Sequence, residues 1–203
     1  KQAEFYQDHA KRMTIARAIV YGAYRNIRQV LKYYQNRRKE LDKTIETIEE
    51  IAKNIAECKD VAQLMAVEGH IREQYYQAFD KITNNKDFSF EERTRRPPQN
   101  NLNTLISFGN SLLYAQVLSE IYKTHLDPRI GFLHATNFRR FTLNLDIAEV
   151  FKPIIIDRLI FTLIDKKIIT KNDFEKHAGG LMLKDKGKKA FVQELDNKLQ
   201  TTI

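Results

Sequence analysis

HATNFRRFTLNLDIAEVFK, residues 134–152, runs directly into PIIIDRLIFTLID, residues 153–165. Asp146 and Glu149 stand three residues apart, which on a helix sets both carboxylates on one face. Ile154, Ile155, Ile156, Leu159, Ile160, Leu163 and Ile164 follow as an apolar run that supports the helical reading. Two acids at the mouth of so apolar a segment need a counter-charge. Arg139, Arg140 and Lys152 could supply it as ion pairs, and a divalent metal could supply it too. From this window both readings stand.

Upstream, the chain reads as helices. Met13, Ala16, Val20, Ala23, Ile27, Val30 and Tyr34 recur at three- and four-residue steps and predict one long amphipathic helix. Arg12, Arg17, Arg25, Arg28 and Lys32 fall off that stripe and are expected to face solvent. After a polar turn at Asn36–Lys39, Leu41, Ile45, Ile48, Ala52 and Ile55 predict a second helix, antiparallel to the first. Asp60 is the expected N-cap of a third, with Val61, Leu64, Met65, Glu68, Arg72, Tyr75 and Phe79 on one face. Glu68 is the anomaly there, since a buried glutamate is costly unless it is paired or bound to a cation. Arg72, one turn on, is its plain partner. Gly69 costs ~1 kcal/mol inside a helix and suggests close approach of something.

Residues 84–101 predict a basic loop, with Arg93, Arg95 and Arg96 ahead of Pro97-Pro98. Asn103–Ile121 is helical again, and Gly109 would permit a tight helix crossing. Leu126-Asp127-Pro128 opens a turn that delivers His134 from a loop or a helix start. Residues 170–203 read as a small helix-turn-helix-like unit: a short helix at Asn172–Glu175, a turn plus short strand at Gly179–Leu183, and a charged helix from Asp185 to Leu199.

Only 7 Gly and 4 Pro in 203 residues favour long, rarely interrupted elements, hence an all-α fold in a single domain over 1–203. The lone Cys58 allows no internal disulfide and no Cys-based zinc site, which points to a reducing, cytoplasmic setting. The most apolar window falls short of the ~20 residues a bilayer span needs, so no membrane is expected. Eleven Lys or Arg against four Asp or Glu in residues 1–44 concentrate the positive charge where a phosphate backbone could lie; a solvated helix face is the plainer alternative. No internal repeat, GxGxxG, Walker loop or nucleophilic serine motif occurs.

Four blocks carry a resemblance: MAVEGHIREQYYQAF (65–79), RRPPQNNLNTLISFGNSLLYAQV (95–117), LDPRIGFLH (126–134) and LNLDIAEVFKP (143–153), with a weaker likeness in RMTIARAIVYGAYRNIRQVL (12–31). In this order they resemble the C-terminal catalytic domain of the CRISPR-associated integrase family, CRISPR-associated protein one. The resemblance implies an all-α catalytic domain in which Glu68, His134 and Glu149 hold one divalent metal, with Asp146 as a nearby auxiliary acid. Such a mixed oxygen and nitrogen set suits Mn²⁺ or Mg²⁺ better than structural zinc.

The implied chemistry is phosphoryl transfer on DNA: attack of a prespacer 3′-hydroxyl on the CRISPR repeat, endonuclease cleavage when water attacks, and resolution of branched DNA in reverse. Lys152, Arg72, Arg95 and Arg96, with Arg139 and Arg140, are the expected DNA-binding cations; Tyr75 and Tyr114 match family aromatics. The implied partners are DNA, CRISPR-associated protein two and a second copy of the full-length protein. The family's N-terminal β-rich dimerising domain and basic C-terminal tail have no counterpart here, so an isolated catalytic domain is expected. Glu149 stands where Asp is also common. Two other classes compete: a non-catalytic helical DNA-binding scaffold of the same complex, in which the acids only form ion pairs, and a helical protein–protein adaptor without salt-sensitive DNA affinity.

Overall fold

The computed structural model describes residues 1–134 and 141–201. After a short helix α1 (Gln2–Gln7), the long helix α2 (His9–Gln35) runs through the molecule with Asp8 accepting from the Lys11 N–H at 3.1 Å as its N-cap. Its whole expected stripe, Met13 to Tyr34, is buried. A turn with Arg38 in the left-handed region (φ 64°) leads to α3 (Asp42–Lys53). Gln35 bonds Asp42, Arg28 pairs with Glu49, and the Arg17 guanidinium donates to the Cys58 carbonyl at 2.6 Å. Those three ties, early on one helix to late on the other, make α2 and α3 antiparallel.

The same ties correct one expectation. Arg12 also turns inward, donating to the Phe132 carbonyl at 3.0 Å and lying over the Tyr6 ring. Three of the five arginines and lysines expected to be free on α2 are therefore committed within the chain. Arg25 and Lys32 have no such partner among the described residues.

Asp60 caps α4 (Val61–Gln77) through the Gln63 N–H at 2.8 Å. Its inner face is Leu64, Ile71, Arg72, Tyr75 and Tyr76, whereas Met65, expected inside, is 40% exposed. Glu68 is only partly buried, with 21% of its side chain exposed. Helix α5 (Phe79–Thr83) follows, and Phe79 meets Phe161 edge-on at 4.6 Å in the core. Burying each such ring is worth about 1.5–3 kcal/mol. Tyr75 packs against Phe79 in the same cluster and is fully buried, so it is a packing residue.

Asn100 caps α6 (Asn101–Ile121) through the Asn103 N–H at 2.8 Å. Helix α7 (Leu143–Lys152) then lies between α2 and α6. It passes through a π-type turn, Pro153–Asp157, into α8 (Arg158–Asp165). Proline has no N–H and cannot continue an ordinary ladder, and the wider turn absorbs it without ending the helix. The crossing foreseen at Gly109 is real: a Cβ there would meet Ile156 at 2.6 Å and Phe191 at 2.8 Å.

The all-α class holds. The C-terminal unit, however, is not helix-turn-helix-like. Strands β1 (Phe174–His177) and β2 (Gly180–Leu183) pair antiparallel, Phe174 opposite Leu183, before helix α9 (Asp185–Gln200). Ala178 and Gly179, both at positive φ, make the tight turn; the strand after it was expected, but its partner Phe174–His177 stands where a short helix was expected. The Leu181 N–H donates to the Pro98 carbonyl at 2.8 Å, so the hairpin covers the 97–98 segment.

Candidate active site

Glu68 and Arg72 lie on α4, His134 ends the loop after α6, and Asp146, Glu149 and Lys152 lie on α7. The organising group is Asp146, whose side chain is fully buried. Its Oδ2 accepts from the backbone N–H groups of Phe132 at 2.5 Å and Leu133 at 2.9 Å; its Oδ1 accepts from the His134 N–H at 3.0 Å and meets the His134 ring Nδ1 at 2.8 Å. Thr142 extends the clamp, accepting from the Gly131 N–H at 2.9 Å and donating to the Arg129 carbonyl at 2.8 Å. A Cβ at Gly131 would come within 2.9 Å of Asp146 Oδ2, so glycine is what lets this loop close onto α7. Asp146 thus fixes the histidine from behind, and with Nδ1 engaged the ring's Nε2 is the nitrogen left for chemistry.

Glu68 and Glu149 come together on one cation. Arg72 Nε donates to Glu68 at 2.7 Å, and Arg72 Nη2 pairs with Glu149 on the same edge of the guanidinium. Lys152 holds the other Glu149 oxygen and sits 4.8 Å from the Tyr114 ring centre. Arg72, Glu149 and Lys152 are all buried. Removing one member of such a set leaves a buried charge unpaired, at a cost of about 3–5 kcal/mol.

The electrostatics follow. Burial pushes the Glu149 carboxyl up, but the Arg72 and Lys152 charges outweigh it and hold it at about 2. Burial lowers Lys152, and the Glu149 charge more than restores it. His134 is likewise lowered by burial and raised, on balance, by its hydrogen bond to Asp146 and the charges of Asp146 and Glu149. His134 and Glu149 therefore feel each other directly.

Of the expected residues, the structure brings Glu68 and Glu149 together on Arg72 and His134 onto Asp146, and the His134 and Glu149 charges act on each other. Asp146 serves as the positioning group for His134. Arg72 and Lys152, expected to lie on DNA, are buried against the acids. Arg95 and Arg96 are exposed; Arg95 lines a cleft of about 320 Å³ with Glu68, Gly69, Arg72 and Tyr76. Arg139 and Arg140 lie outside the described residues. Gly69 is approached by no part of the described chain, since a Cβ there would meet nothing within 4 Å. Sequence reasoning missed Asp157 and Thr142; a lone carboxylate in an apolar run was the available signal for the first.

The donor set, two carboxylates and one imidazole around a place held by a cationic side chain, fits a divalent cation in kind. Among the described residues no three His, Cys, Asp or Glu side chains already converge tightly enough to hold one, because the guanidinium stands between the two glutamates. No helix among the described residues is long and apolar enough to cross a membrane.

Known proteins resemble the chain over its full length. CRISPR-associated endonuclease Cas1 2 of Thermodesulfovibrio yellowstonii is 58% identical over 203 residues, which span 100% of this chain and 62% of that protein. A CAS1 protein structure from Thermotoga maritima superposes with a TM-score of 0.92 at 48% identity, covering 100% of this chain and 63% of that one. A casposase bound to integration product does so with a TM-score of 0.90 at 25% identity, covering 100% of this chain and 60% of that one. The chain thus spans about three fifths of the length of the relatives it matches. The family model described as CRISPR associated protein Cas1 matches residues 1–197, and with these relatives it establishes that the chain belongs to the Cas1 family.

Proposed function

We propose that the chain carries the catalytic centre of a metal-dependent DNA endonuclease and integrase of CRISPR spacer acquisition, with Glu68, His134 and Glu149 as ligands of one Mn²⁺ or Mg²⁺. The supporting observation is the convergence of Glu68 and Glu149, eighty-one residues apart, on a single guanidinium edge beside a histidine whose Nδ1 is already engaged by Asp146. When bound, the metal would supply charge stabilisation at the scissile phosphate and activation of the attacking oxygen. Asp146 engages the His134 Nδ1, which holds the ring and leaves Nε2 as its free nitrogen. Lys152 and Arg72 supply positive charge beside the same acids, where a phosphate would gather negative charge. Arg95 and Arg96, at and beside the cleft edge, are placed to meet a DNA backbone.

The substrate of this reading is DNA: a prespacer 3′-hydroxyl attacking a CRISPR-repeat phosphodiester, with water as the alternative nucleophile. The partner solved with similar folds is Cas2, in Cas6-RT-Cas1–Cas2 complexes. We extend that partnership, and homodimerisation of the full-length protein, to this chain as part of the proposal.

One observation favours the scaffold alternative: Glu68 and Glu149 already have ion-pair partners. Mn²⁺-soaked crystals separate the two. The catalytic reading expects an anomalous peak ~2.0–2.4 Å from Glu68 and Glu149 oxygens and the His134 nitrogen. It also expects strand transfer and cleavage lost in Glu149→Gln. If no peak forms there, and DNA affinity is indifferent to EDTA and to Glu68→Ala with no turnover, the scaffold reading replaces it.

A further inference from the structure

Beneath the acid cluster lie three polar groups with atoms that have no hydrogen-bond partner among the described residues. Both Asp157 carboxylate oxygens are buried and unpartnered; so are Arg72 Nη1 and the Tyr75 hydroxyl. Asp157 is 1% exposed. Buried polar groups are nearly always satisfied, so three orphans in one place call for a cause.

The backbone supplies the setting. In a regular α-helix, Asp157 would lie about 140° around from Lys152, five residues earlier. The π-type turn Pro153–Asp157 advances more slowly per residue and swings Asp157 back toward the face that carries Lys152. The charges of Arg72 and Lys152 both act on Asp157, against its burial, and the Tyr75 hydroxyl acts on it too from outside hydrogen-bond geometry. A carboxylate with two free oxygens therefore waits near a guanidinium that has one nitrogen free.

This bears on the proposed metal site, and the inference rests on that reading. Arg72 holds Glu68 Oε1 and Glu149 Oε2 and stands between the two carboxylates. A divalent cation drawing both carboxylates onto itself would have to displace the guanidinium. Expelling Arg72 into its buried surroundings unpaired would carry a heavy penalty, which would appear as weak metal binding. We propose that Asp157 is the relay acceptor for Arg72: as a divalent metal takes Glu68 and Glu149, the guanidinium transfers to the Asp157 carboxylate, with Tyr75 Oη completing the new set. Asp157 is thus a positioning residue, acting on metal affinity through Arg72. The only bond change is release of the Asp157 carboxyl proton to solvent where that group starts protonated.

The test is a calorimetric Mn²⁺ titration of the protein in four forms: wild type, Asp157→Asn, Arg72→Gln and the double variant. Asp157→Asn is expected to weaken Mn²⁺ binding about tenfold, equivalent to ~1.4 kcal/mol. In the Arg72→Gln background the same change is expected to do little, because no guanidinium needs rehousing. Equal weakening in both backgrounds, or none in either while the wild type binds, would overturn the relay and leave the metal reading standing. Wild-type protein with no saturable Mn²⁺ binding sensitive to Glu149→Gln would overturn both. Should Asp157→Asn fail to fold, a Mn²⁺-soaked wild-type crystal decides alone. Arg72 within hydrogen-bond reach of Asp157 supports the relay. Arg72 still on the glutamates, or turned to solvent, refutes it.

Discussion

Asp146 does more than its charge alone would suggest. One carboxylate accepts three backbone N–H groups and meets a ring nitrogen, and so ties a loop to a helix at the point where His134 emerges. Asp146→Ala removes every acceptor at once and leaves buried donors unsatisfied, each worth about 1–3 kcal/mol. Urea denaturation of the EDTA-treated variant should therefore show a loss of roughly 3–5 kcal/mol. Asp146→Asn is milder, keeping an acceptor oxygen but presenting an amide to donors. It should lower Mn²⁺ affinity or cleavage about 10–100-fold, the usual effect of losing a group that orients a metal ligand. Unchanged affinity in the Asn variant would mean that the ring is held by something else.

At the scale of elements, two glycines on two helices test opposite physics. Gly109 sits where α6 crosses the π turn and α9, and a methyl there would strike Ile156 and Phe191. Gly109→Ala should cost about 1–3 kcal/mol through overpacking, read as a lowered Tm. Gly69 faces open space beside the cleft, so Gly69→Ala should stabilise α4 by roughly 0.5–1 kcal/mol. Helix α2, the tight crossing and the cap at Asp60 were legible because periodicity and capping are local properties of a sequence. Of the hairpin at 174–183 the turn and second strand were legible, but the first strand was not, since the turn also rests on Ala178 at φ 45° and the hairpin packs on the distant Pro98 carbonyl. Glu68, Glu149 and His134 stood out as charges near apolar faces and through the family blocks. The inward turn of Arg12 and Arg17, and the surface pairing of Arg28, depend on partners 120, 41 and 21 residues away, which no window of sequence contains.

For the whole molecule, the buried charges set how stability varies with pH. Glu149, held at about 2 against an ordinary value of 4.5, contributes stability that is present above 4.5 and lost as pH falls toward 2. Asp157 works in the opposite sense. Burial raises it from 3.8 to about 7, so between those values the folded chain keeps a proton that the unfolded chain has released, and stability falls as pH rises. His134, raised above its ordinary 6.5, likewise contributes below that value and loses the contribution as pH climbs through its folded pKa. EDTA-treated protein should be most stable to urea near pH 5 and weaken by a few kcal/mol toward pH 8, because each tenfold difference in proton affinity between folded and unfolded chains is worth about 1.4 kcal/mol. Asp157→Asn should flatten the alkaline limb and Glu149→Gln the acid one. A profile level from pH 5 to 8 would contradict the assignment of Asp157.

The inward commitment of so many guanidinium groups also changes what a polyanion would encounter. Formal charge is +8, yet Arg12, Arg17, Arg72, Arg93 and Lys152 spend their hydrogen bonds on the chain's own carbonyls, amides and carboxylates. Counterions condensed along a duplex are displaced only by cations that reach the phosphates. Under the proposed function, the ionic-strength dependence of DNA association should therefore count the outward residues, Arg25, Arg95 and Arg96 among them, rather than the bulk charge of the chain.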